Sequence, residues 1–204
     1  KLKIKDATDR QRRVLKVVVF DFNPSDLPAG TTSFGVCSDL ADYIRALSLG
    51  QVTGNRPRTV AFVHHEVTGH TVLPVFSCTE IVMSSELDPA SRRPRAKLGN
   101  VTRDIDGPLS KAAESAYQTV GERWSSPDLI HRMIDPTLSL RRVTTLQGAR
   151  YWSVERIKSR EKAKDRITVQ TTIPPGLEPG VALFDAIQCR EFGLCQAFFN
   201  TRAE

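Results

Sequence analysis

The sequence predicts an α/β fold with a mostly parallel sheet, and three observations predict it. Residues 14–22 are a nearly unbroken β-branched run, the pattern of a strand covered on both faces. Residues 35–49 then place Val36, Leu40, Tyr43, Ile44 and Leu47 at helical spacing. Two further strand-like runs, 59–63 and 80–83, enclose an almost continuously apolar stretch at 71–78 that reads as a buried helix. Strand, helix, strand, helix, strand is a βαβ alternation, whose crossovers are right-handed and whose strands lie parallel.

Each element follows from local chemistry. The first strand enters a loop, 23–34, that holds Pro24, Pro28 and Gly30. Gly69 supplies a tight turn between the run at 59–63 and the helix at 71–78. Residues 86–107 are rich in Pro, Arg and Asp and are expected as an excursion over the surface. Two helices are expected at 109–124 and 127–134, divided by Ser125-Ser126, with Asp135-Pro136 stopping the second. Beyond them come a hairpin (140–143 with 149–152), a charged helix (153–162) and a strand (167–173) ended by Pro174-Pro175-Gly176. A helix at 184–192 and a strand at 195–199 close the series. The organisation expected is one domain over 1–204, with a core at about 14–136 and a small C-terminal α+β portion at about 137–200.

With 204 residues, 40% hydrophobic and 25% charged, the chain suits a single sizeable core. No apolar run approaches the ~20 residues of a membrane-spanning helix, and no signal-peptide core is present. The net charge of +6 has two visible clusters, Arg92, Arg93, Arg95 and Lys97 in one and residues 158–166 in the other. Neither is interleaved with aromatic residues, so both read as solvated faces and no nucleic-acid partner is expected. Four cysteines without a CxxC pair argue against a zinc ribbon. Cys37 and Cys78 fall in apolar helices and read as buried thiols, whereas Cys189 and Cys195 either pair or pack.

Function should sit at Thr68-Gly69-His70. A side chain at a turn into a helix meets backbone N–H groups and the helix dipole, which suit a nucleophile and its oxyanion. No serine or cysteine stands there. The neighbouring run HHEVTGH superficially matches the zinc-protease pattern HExxH, but His65 and His70 are five apart and do not share a helix face. His64, His65, Glu66 and His70 are therefore expected to line a polar pocket or cap the turn, and no metal and no cofactor is expected. His131 reads as a surface or boundary residue.

Four passages carry a family resemblance. They are VVVFDFNPSD, set against a family loop of roughly D-x-P-G-G, and TVAFVHHEVTGHTVLPVFSCTEIVM, set against strand, A-x-S-A-G-A and a helix running into D-x-I-x-M. The other two are AYQTVGERWSSPDLIHRMIDP and IPPGLEPGVALFDAIQCREFGLCQAF. In this order and spacing the chain resembles the ClpP/crotonase superfamily, and within it the protease domain of NfeD-type membrane-bound serine proteases. The resemblance implies a ClpP-like fold and places Gly69 at the nucleophile and Thr71 at the following glycine. It also places Ser25-Asp26 where the oxyanion loop has two glycines, and Pro108 or Leu109 near the base, with Lys111 the nearest lysine.

The implied protein is thus a catalytically degenerate protease homologue. It would bind a peptide or partner protein by strand addition in the former substrate groove, at Ser25, Asp26, Gly69, His70 and Thr71. Two alternatives stay open at this point. One is an active peptidase in which Thr68 or Ser77 acts with Lys111. The other is a crotonase-like acyl-thioester enzyme that uses the Gly69 turn as oxyanion site beside Glu66. The resemblance further implies a homo-oligomer and an extracytoplasmic or membrane-associated setting, through segments outside this chain.

Overall fold

In the computed structural model, residues 15–24, 26–163, 166–170 and 172–199 are described; Val14 and Ser25 lie outside them. The β-branched run forms β1 (Val17–Asp21), and the apolar runs that follow form β3 (Arg58–Val63) and β5 (Glu80–Ser84). These strands are parallel neighbours, and β11 (Ala197–Phe199) joins them in the order β1-β3-β5-β11. The helix expected at 35–49 is α1 (Phe34–Ser48), which turns Cys37, Ala41, Ile44 and Leu47 inward. The short helix α2 (Val72–Ser77) is buried on every side, which explains its continuous apolar sequence.

A second sheet stands beside the first, where one sheet was expected. It is built from β2 (Ala29–Thr31), β4 (Glu66–Gly69), β6 (Lys97–Gly99) and β10 (Leu183–Asp185) in the order β10-β6-β4-β2, with only β10 antiparallel. Each of these strands has three or four residues, too few for a two-residue alternation to repeat. The region 86–107 is accordingly no mere surface excursion. Ala96, Leu98 and Val101 are buried, and β6 lies between β4 and β10.

The expected two-sided cover of the first strand is also corrected. Val17 and Val19 are 50% and 60% exposed, because they share one uncovered face of β1, which is the outermost strand of its sheet among the described residues. Asn23 makes the step between sheets. Its buried side chain accepts the N–H groups of His64 and His65 at 3.3 and 3.1 Å and donates to the carbonyls of Leu27 and Glu66 at 2.9 and 3.2 Å. Backbone groups left over where β3 breaks into β4 are thereby satisfied.

Helices α3 (Lys111–Gly121) and α4 (Pro127–Ile134) follow as expected, Pro127 opening the second. The hairpin forms with β7 (Leu140–Thr145) paired antiparallel to β8 (Gly148–Ser153), and α5 (Val154–Lys162) follows it. Of the strand expected at 167–173, the described residues form β9 (Thr168–Val169), paired to β7. The helix expected at 184–192 begins later, as α6 (Ala186–Glu191), because Leu183–Asp185 is committed to β10 and the Asp185 side chain caps the helix.

Two buried charges fasten the C-terminal portion. Asp128 accepts the backbone N–H of Ser153 at 2.7 Å and pairs with Arg156 at 2.8 Å. Burial opposes ionisation of Asp128, but these bonds outweigh it and hold its carboxyl below the usual range. Arg132, the largest fully buried side chain, donates to the carbonyls of Val181, Leu138, Leu177 and Glu178. One apolar cluster runs through both portions, from Phe22 to Cys195. All four cysteines are free and buried, so Cys189 and Cys195 pack rather than pair. Among the described residues no helix is long and apolar enough to cross a membrane.

Candidate functional site

Strand β4 delivers the chain to Gly69, whose φ of +60° lies in the left-handed region that favours glycine. A Cβ built on it would stand 2.4 Å from the carbonyl oxygen of Thr31 in β2. Position 69 therefore has neither the backbone angle nor the space for a serine. The N–H groups on either side of the turn are already used. That of Gly69 donates to the Asn100 carbonyl at 3.3 Å, and that of His70 to the Thr31 carbonyl at 2.8 Å. Donors held by neighbouring strands are not available to an oxyanion.

The other candidate residues go to separate places. Asp26 takes the left-handed conformation, φ +57°. Its carboxylate meets His64 Nδ1 at 3.1 Å and Arg95 at 3.6 Å, while His64 Nε2 meets Asp21 at 3.2 Å. This cluster is beside the start of β4, and Gly69 is its last residue, so roughly 10 Å of extended chain separates them. Gly30 and Thr31, in the adjoining β2, are the residues that meet Thr68 and Gly69. A Cβ on Gly30 would approach the Thr68 hydroxyl to 2.6 Å. Ser25 lies outside the described residues.

Ser77 donates to the Leu73 carbonyl at 3.0 Å from the buried face of α2, as its interior position predicts. Lys111 is exposed at the start of α3, whose cap is the Ser110 hydroxyl. Thr71 makes no capping bond to α2. Burial pushes the Cys37 thiol up, and a hydrogen bond from Thr71 partly offsets this. Glu66 is held by Arg103 and, at 3.9 Å, by Lys97. The histidines diverge: His65 Nδ1 accepts the Glu66 N–H at 2.8 Å, and His64 stacks on Phe62. Among the described residues no three His, Cys, Asp or Glu side chains gather as a metal site.

His70 is 4% exposed, packed edge-on to Phe34 and over Tyr117, with Nδ1 3.4 Å from the Tyr117 hydroxyl. Burial lowers its pKa and raises that of Tyr117, so both are held neutral. A histidine whose folded pKa is depressed contributes stability that is complete above the unfolded value of about 6.5 and is lost as pH falls below it. Urea midpoints between neutral pH and mildly acidic pH should therefore fall less for His70→Gln than for the parent protein. An equal fall in both would remove His70 from the acid response.

Thr31, Asn100 and Tyr117 shape this turn and carry no signal in the sequence by themselves. A signal for Gly30 did exist. Asp26-Leu27-Pro28-Ala29-Gly30 has the form of the loop D-x-P-G-G, one glycine short. No protein-family model matches the chain, and no curated protein is significantly similar to it.

Proposed function

We propose that this protein is a non-catalytic member of the ClpP/crotonase superfamily, of the NfeD-type protease branch, and that it binds an extended peptide or a partner protein. The fold reading is supported by three successive strand–strand–helix units, β1-β2-α1, β3-β4-α2 and β5-β6-α3, each giving one strand to each sheet. The run Asp26–Gly30 supports it again, with Gly30 beside the turn that would bear the nucleophile.

One contact carries the functional reading. Thr31 of β2 closes over Gly69, excluding a nucleophile and occupying the His70 N–H. Strand β2 is the outermost of its sheet among the described residues, so its far edge is open to an added strand while its near edge seals the turn. A homo-oligomer, and a membrane-associated or extracytoplasmic setting supplied by segments outside this chain, belong to the same proposal.

The test is exposure of the protein to a serine-directed fluorophosphonate probe. No labelling is expected, because the Ser77 proton is committed within α2 and Thr68 lies against Gly30. Labelling that disappears in Thr68→Ala or Ser77→Ala would restore the peptidase reading.

A further inference from the structure

The net charge of this protein is concentrated in one place. Residues 140–169 contain nine Lys or Arg and three Asp or Glu, a surplus equal to the +6 of the whole chain, so the remaining 174 residues hold 20 of each sign. Ion pairing leaves much of this surplus uncompensated. Within the stretch Arg156 pairs with Asp128, whereas Arg142, Lys158, Lys162 and Arg166 stand in no ion pair among the described residues.

We propose that the face formed by the β7–β8 hairpin, α5 and Arg166 binds single-stranded nucleic acid. The sequence argued against such a partner because no aromatic residue interrupts the basic run at 158–166. Folding supplies one from a different element. Trp152 of β8 lies under the Arg160 guanidinium, 5.9 Å from ring centre to carbon. Arg141 stands opposite Trp152 in the hairpin register and so on the same face, and its buried Nη1 has no hydrogen-bond partner.

Beside this indole is a cleft of about 310 Å³ lined by Leu146, Gln147, Trp152, Arg160 and Arg166. An aromatic face, guanidinium groups and an amide around one cleft match a unit that joins a stacking base to a phosphate. An acidic peptide would use the cations but not the ring. A lipid surface would meet the 85% exposed Leu146 at the hairpin tip but has no use for a cleft beside an indole.

Fluorescence anisotropy with a labelled single-stranded oligothymidylate of about 12 nucleotides tests this directly. Binding is expected to weaken with salt, with a log–log slope of about 3–4 if about five phosphates are neutralised. Arg160→Glu/Arg166→Glu should weaken it at least about tenfold. Lys158→Glu/Lys162→Glu, whose parent residues are exposed, should weaken it too without disturbing the Trp152 contact. Trp152→Leu should lower affinity several-fold and leave the salt slope unchanged.

Arg92→Glu/Arg93→Glu, in the other basic cluster, should bind as the parent does. Equal loss from both clusters, or no binding at about 50 mM salt, would overturn the proposal. So would tight binding to anionic phospholipid vesicles or polyglutamate that the oligonucleotide does not displace.

Discussion

Arg132→Met is expected to lower the unfolding free energy by about 3–5 kcal/mol, a large share of the ~5–15 kcal/mol of an ordinary domain. The side chain is 1% exposed, and its guanidinium serves four carbonyls spread over residues 138–181. Methionine fills much of the volume but donates nothing, so the carbonyls of Leu138, Leu177 and Val181 lose this donor, while that of Glu178 keeps the Val181 N–H. Burial lowers the Arg132 pKa, against the fields of Asp135 and Glu178, and a guanidinium so placed remains charged at neutral pH. Arg132→Lys retains charge but cannot span the four acceptors, and should fall between the two. Urea unfolding of the three proteins checks the order, and an unchanged midpoint in the methionine variant would remove Arg132 as the fastening point.

Gly69→Ser tests whether the turn accepts the serine that the proposed family relationship would place there. Two costs add. A non-glycine residue at φ +60° costs about 1–2 kcal/mol, and its Cβ must push the Thr31 carbonyl away from 2.4 Å. A backbone oxygen fixed in a strand pair yields only if β2 separates from β4, so the total should reach about 3 kcal/mol or more. No peptidase activity should appear in the variant, since the flanking N–H groups remain committed. Full stability combined with peptide hydrolysis would show that the turn is open.

The first sheet was legible because β1, β3 and β5 each carry five or six residues of strand chemistry, and α1 repeats its apolar positions over 15 residues. The second sheet was not, because β2, β4, β6 and β10 rely on partners distant in sequence rather than on their own composition. Gly69 was readable as a turn, but its closure depends on Thr31 and Asn100, which only folding brings there. The same limit hid Trp152 from the basic run that it joins in space. Ser77 shows the opposite case, since a hydroxyl inside an apolar helix has little to bond except the preceding turn.

The pairing of β10 with β6 and of β11 with β5 has a consequence for how the chain reaches its native state. Gln196 already clasps Ile81 through both its backbone N–H and its side-chain oxygen, at 2.9 and 2.7 Å. Each of the two four-stranded sheets therefore waits for a strand from residues 183–199, long after its other strands have been synthesised. Loop closure over such separations is slow, and until it happens β5 and β6 each present an unsatisfied backbone edge. During translation this is the window in which the nascent chain is most open to aberrant association, and it closes with the arrival of Phe199.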